Sequence, residues 1–209
     1  MQENMSWPKM RNAKLECTDD LILAEGGTLI MARWEAPMMK YHAEVVCRRG
    51  GDILEIGFGL GISAQYIQEQ NINSHTIIEP HPVLAENARN WCENKSNITI
   101  VEADWYDVVD TLKTYDGVFY DAEFDKHMFE FYSIIKQKIK PNGIFTFFNP
   151  DGDGTKNTHL IEGDVKYEEM SVEPPPYNTK ENQYMKSDVD KYFIPIVTNS
   201  LGNIYTYGR

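Results

Sequence analysis

Three glycines in close succession carry the first chemical signal. The run Glu55-Ile56-Gly57-Phe58-Gly59-Leu60-Gly61 follows a short apolar stretch and opens a helical one. Glycines at such a turn let the backbone approach a ligand at the carboxyl edge of a sheet. A dinucleotide or S-adenosylmethionine can use a loop of this kind, and spacing separates them. A dinucleotide loop needs its third glycine at position 62, which is Ile, whereas the third glycine here is Gly61. Glu55 sharpens the distinction: a carboxylate beside the loop suits the sulfonium and amino groups of S-adenosylmethionine and repels a pyrophosphate. Glu79 closes the next strand, where a carboxylate can accept hydrogen bonds from ribose hydroxyls. After the third strand comes Glu102-Ala103-Asp104-Trp105. Asp104 can accept from an adenine amine with Trp105 on the purine face; equally, Asp104 can cap a helix ahead of a core aromatic. Glu55, Gly57, Phe58, Gly59, Gly61, Glu79, Asp104 and Trp105 thus form the expected S-adenosylmethionine site.

The elements that must position these residues read as an alternation of strands and helices. Strands are expected at Ile53–Ile56, Thr76–Glu79, Ile98–Val101, Val118–Asp121 and Ile144–Phe148. Helices are expected at Gly61–Glu69, Leu84–Asn94, Trp105–Thr111 and Phe124–Ile139. This rhythm predicts an α/β, Rossmann-like fold with a mostly parallel central sheet and helices on both faces. Lys140-Pro141-Asn142-Gly143 reads as the stop of a helix and the turn into the next strand. Met31–Arg48 reads as a helix interrupted near Pro37, and the first 30 residues as loosely structured around Gly26-Gly27. Tyr167–Val172 and Tyr192–Thr198 are expected to form a C-terminal antiparallel strand pair, joined through the stiff Pro174–Pro176. The expected organisation is one domain over 1–209. Within it, 1–30 is an arm and candidate lid, 31–148 the cofactor-binding core, and 149–209 a substrate-side loop with the last two strands.

The totals narrow the function. The 209 residues suit a single full core, and 20 Lys+Arg against 32 Asp+Glu give a net charge of −12. Such a chain repels phosphate backbones, so nucleic acid is not an expected partner, while a cationic substrate or simple solubility fits. No apolar run reaches the roughly 18 residues of a membrane helix. The polar start carries no secretory pattern, and three widely spaced cysteines suit a reducing compartment, so a cytoplasmic location is expected. No metal is expected. The five histidines share no ligand spacing, and the calcium-like run from Asp151 to Glu162 has Lys156 where the loop needs Gly. His42 and His127 read as helix-surface residues.

At this point the residues carry a family likeness. The chain resembles the guanidinoacetate N-methyltransferases and the related arginine N-methyltransferases. The matching segments are Leu29–Met38, Asp52–Gly61, Thr76–Glu79, Trp105–Thr111, Tyr115–Asp121, Ile139–Asn149 and Tyr192–Thr198. The glycine loop is common to class I methyltransferases, whereas Arg33-Trp34-Glu35-Ala36-Pro37 and Tyr120-Asp121 are particular to this family. The resemblance implies that Glu35 and Asp121 grip a guanidino group and serve catalysis. It places Trp34 and Tyr120 beside the substrate, with Trp7 as an N-terminal aromatic closing over it. Asn149, just after a strand, is a further candidate for substrate contact.

These types suit the reaction. A guanidinium is planar and basic, with its donors in a fixed fork and its lone pairs delocalised, so it is a poor nucleophile. A carboxylate pair can fix its plane, draw charge away from the attacking nitrogen and take the departing proton. The stretch Asp151–Asp164 is short and acidic where the family carries another helix that binds the substrate's carboxylate. Three readings follow: N-methylation of a small guanidino or amine compound, N-methylation of arginine in a peptide or protein, and a cofactor-binding subunit without activity.

Overall fold

The run Asp52–Ile56 is apolar on both sides of its pleat, as suits a strand covered on both faces. It forms β4, an interior strand of a seven-stranded sheet. The structure is a computed structural model that describes residues 11–122, 126–149, 165–173 and 190–199. Trp7, Pro174–Pro176 and the stretch from Asp151 to Asp164 lie outside them.

The chain first makes a three-stranded antiparallel meander of β1 (Leu15–Cys17), β2 (Leu21–Ala24) and β3 (Thr28–Ala32). For residues 11–30 this corrects the expectation of a loose segment: Gly26 and Gly27, both at positive φ, turn β2 into β3. Met31 therefore belongs to a strand rather than a helix. A 3₁₀ turn at Arg33–Glu35 follows, and Pro37 sits in the first turn of α1 (Ala36–Val46), where its missing N–H costs nothing.

Beyond β4 run α2 (Ile62–Gln68), β5 (Ser74–Ile78), α3 (Pro82–Cys92), β6 (Ile98–Val101), α4 (Trp105–Val108), β7 (Tyr115–Tyr120), α5 (Lys126–Ile135) and β8 (Ile139–Phe147). The last strands are β9 (Val165–Ser171) and β10 (Lys191–Thr198). Their order across the sheet is β6-β5-β4-β7-β8-β10-β9, parallel from β6 through β8, with β10 inserted antiparallel between β8 and β9. The expected parallel core and C-terminal antiparallel pair are both present. Lys140–Gly143 falls inside β8 rather than ahead of it. Asn142 adopts φ 61° there, and the register against β7 shifts, which absorbs the irregular residues as a bulge.

The sheet's two faces are covered separately. Met38, Met39, Ala43 and Val46 of α1 pack with Ile62 and Ile67 of α2 over Ile53, Phe119 and Ile194. On the other face Met128, Phe131 and Ile135 of α5 cover Leu54, Val118, Tyr120 and Phe145. The chain leaves β4 towards β5 and returns on its other side as β7. The carboxyl ends of β4 and β7 therefore flank the point where strand order reverses, the crevice in which open α/β sheets take ligands.

Candidate active site

Backbone contacts build the floor of this crevice. Gly57 N donates to Ile78 O at 2.9 Å, and Asp121 N donates to Ile56 O at 2.9 Å, so both loops leave the sheet still tied to it. Gly57 stands at φ 93°, and a β-carbon there would lie 2.3 Å from the main-chain oxygen of Asp121. Only glycine lets the two strand ends come this close. Gly59 faces Met31, whose sulfur accepts from Leu60 N at 3.2 Å. Gly61, at φ 71°, turns the chain into α2, with the Phe58 ring against it.

Glu79 locks this loop in shape. Its Oε2 accepts from Phe58 N and its Oε1 from His81 N, each at 2.8 Å. Burial drives its carboxyl up to about 7, against the backbone N–H groups that favour the charged form. Each carboxylate oxygen has a second lone pair, so these bonds leave capacity for a ligand's hydroxyls. Glu55 is wholly buried on β4. Its Oε2 lies 2.9 Å from Nε2 of the equally buried His75 on β5, a close contact without hydrogen-bond alignment. Glu55 reaches the crevice by its field, which acts on both Glu79 and Asp121. A positive ligand meets acidic groups here and a pyrophosphate would meet repulsion, so the donor set fits S-adenosylmethionine.

On the acceptor side, Asp121 follows the last residue of β7 and Glu35 ends the 3₁₀ turn before α1. Glu35 is buried, with Oε1 accepting from Ala32 N at 2.7 Å. Asp121 is partly open as a residue, but its carboxyl is enclosed. Burial first, then the charges of Glu35, Glu55 and Glu79, hold it well above the usual carboxylate range. The structure thus brings these four acids together from β4, β5, β7 and the start of α1.

The other residues singled out in the sequence are held by contacts of their own. Trp34 is part-buried against the core beneath α1. The Tyr120 ring is in the opposite core, 5.1 Å from Phe131. Asn149 is buried, its N donating to the Tyr192 hydroxyl at 2.7 Å and its Nδ2 to Phe193 O at 3.1 Å. Asp104 caps α4, accepting from Tyr106 N at 3.0 Å. Trp105 is 1 % exposed and packs edge-on against Phe131. Asp104 and Trp105 also line a cavity of about 400 Å³ shared with Arg11, Asn12, Tyr106, Asp107 and His127. Arg11 approaches Asp107 at 4.0 Å across this cavity, and nearby in the chain Ala13 O is 2.9 Å from Nε2 of His81.

His42 corrects the sequence reading. It is fully buried rather than on the helix surface, with Nδ1 hydrogen-bonded to Thr146 Oγ1 at 2.9 Å and Nε2 to the Tyr192 hydroxyl at 3.0 Å. The signal was available, since His42 falls three and four residues after Met39 and Met38, on the apolar stripe of α1.

The comparisons agree with this architecture. A family model described as guanidinoacetate N-methyltransferase matches residues 3–205. Protein arginine N-methyltransferase 2 of Candida glabrata is 35% identical over 153 residues, 66% of this chain and 37% of that protein. The protein of the same name from Saccharomyces cerevisiae is 34% identical over 151 residues, 65% of this chain and 36% of that protein. The chain therefore spans well under half the length of these relatives. Among solved structures, spermidine synthase from Thermotoga maritima superposes with a TM-score of 0.64 at 14% identity, over 86% of this chain and 64% of that one. The N-methyltransferase NodS of Bradyrhizobium japonicum superposes at 0.56 and 13% identity, over 79% of this chain and 96% of that one. Both share the fold. The chain belongs to the guanidinoacetate N-methyltransferase family of S-adenosylmethionine-dependent methyltransferases.

Proposed function

We propose that the chain is an N-methyltransferase whose acceptor is an arginine side chain of a protein or peptide. The gathering of Glu35 and Asp121 beside the glycine loop carries this reading. S-adenosylmethionine, when bound, supplies a methyl group on a positively charged sulfur. Gly57, Gly59, Gly61 and Glu79 would hold it, with Asp104 and Trp105 as candidates at its adenine end.

The chain's own task is to place the acceptor nitrogen. Burial and the neighbouring acids disfavour the ionised form of Asp121. A guanidinium entering between Asp121 and Glu35 supplies the opposite charge and restores it. Two carboxylates against the planar fork fix the orientation of the attacking nitrogen. They also draw positive charge to the far nitrogens, and Asp121 Oδ takes the proton the nitrogen sheds.

The names of the relatives favour arginine in a polypeptide over the small guanidino compound first expected from sequence. The small compound remains the second reading because the matching family model carries that description. Incubation with S-adenosylmethionine and equal amounts of an arginine peptide, free arginine and guanidinoacetate, followed by mass spectrometry, separates the two. A methylated peptide is the expected result. Methylated guanidinoacetate with an untouched peptide would move the assignment to the second reading. Cofactor binding with no methylated product would point to the subunit without activity.

A further inference from the structure

The buried polar network behind the carboxylates has no part in the chemistry above. Its members are His42 of α1, Thr146 of β8, Tyr192 of β10 and the backbone of Asn149. His42 and Tyr192 are 150 residues apart in sequence and bond across the molecule. An apolar core has no need of them. Burying an imidazole and a phenol is costly unless every polar atom finds a partner, and here each does.

We infer that His42 and Tyr192 are a positioning pair that holds Glu35 and Asn149 in register with Asp121, a role resting on the methyltransferase reading above. The geometry supports this in three ways. First, Glu35 is the cap residue immediately before α1, and His42 follows it by seven residues, about two turns into the same element. A bond that fixes the rotation of the helix at His42 fixes the direction of Glu35. Second, the His42 ring stacks on Phe119 of β7, with centroids 4.7 Å apart and planes at 19°. Phe119 stands two residues before Asp121, so the same ring is seated on the strand that carries the other acid. Third, the Tyr192 hydroxyl takes the backbone N–H of Asn149 while bonding His42, and the Tyr192 ring stacks with Phe148 at 6.0 Å. One hydroxyl thus ties the exit of β8 to α1.

The environment is consistent with that placement. Burial takes His42 down to about 3, so the ring is neutral and serves as a fixed two-ended strut. Burial, and then the carboxylates of Asp121 and Glu35, hold the Tyr192 phenol well above its ordinary range, placing it within reach of both charges.

Tyr192→Phe keeps the ring and removes the hydroxyl. It leaves one buried N–H and one imidazole nitrogen without their partner, which predicts a roughly 10-fold to 100-fold rise in acceptor KM. The dissociation constant for S-adenosylmethionine, measured by calorimetry, should stay within about twofold, because the glycine loop does not touch the pair. His42→Leu should reproduce this pattern and His42→Gln, which can still bond both neighbours, should largely rescue it. The probe is the arginine peptide, or guanidinoacetate should the wild type take only that. Unchanged acceptor kinetics in Tyr192→Phe, equal weakening of cofactor and acceptor, or no difference between His42→Gln and His42→Leu would each overturn the inference. The two His42 variants decide the matter if Tyr192→Phe fails to fold. A wild type that neither methylates nor binds either acceptor overturns the methyltransferase reading together with the pair.

Discussion

On one side of the switch point, β4, β5 and the loops after them hold one another through main-chain groups. Gly57 N meets Ile78 O, and Glu79 accepts from Phe58 N and His81 N. On the other side, α1 docks on β7, β8 and β10 through side chains: His42 with Thr146 and Tyr192, and Glu35 and Asp121 facing one acid cluster. The first construction uses neighbours in sequence and depends on backbone shape. The second uses single residues far apart and depends on how helices and strands dock. A loop shaped by backbone tolerates few residue types at its turning points. A pocket shaped by docking tolerates local change and fails when a distant contact is lost.

Gly57→Ala tests the backbone-built side most severely. The left-handed backbone alone adds ~1–2 kcal/mol, which for a chain of this size lowers the melting temperature by on the order of 5 °C. The new methyl would also press on the main-chain oxygen of Asp121, which cannot swing away. Calorimetry should show cofactor affinity lost together with stability. Full affinity in this variant would break the contrast between the two sides.

Asp121→Asn tests the docked side with little change of shape. Turnover should fall on the order of 100-fold or more, as for loss of a group that both orients and takes a proton. Cofactor affinity should change only a few-fold. Parallel loss of both would mean that Asp121 serves the glycine loop rather than the acceptor.

Glu79→Gln gives the smallest and most conditional effect. Burial raises the folded carboxyl from 4.5 to about 7, so the fold prefers its protonated form. The stability this group lends is complete below about pH 4.5 and fades as pH rises through about 7. The loss amounts to at most ~3 kcal/mol. Gln stays neutral, so melting curves at pH 5 and pH 8 should differ less in the variant than in the wild type. An identical pH dependence in the two proteins would remove Glu79 as its source.

Much of the backbone-built side was legible in the residues. The glycine spacing set the loop to the residue, and the helix expected at Gly61–Glu69 is Ile62–Gln68. The N-terminal meander was not legible, because strands of three to five residues are too short for alternation to stand out. His42 was misread because its polarity outweighed its position on an apolar stripe. Asn149 read as a candidate for substrate contact, and only the fold shows that its Nδ2 donates to Phe193 O of β10.

The order of elements, the glycine loop and the identity of the acids follow from sequence alone, since hydrophobic period and glycine placement are local properties. Tertiary structure decided which acids share one crevice. It sealed Glu55 against His75 and brought Glu35 beside Asp121. It also placed the imidazole of α1 between strands that the chain reaches more than a hundred residues later. The physical reason is that a carboxylate's role is set by what surrounds it, and those neighbours are chosen by the sheet's strand order and the packing of α1, which no stretch of sequence contains by itself.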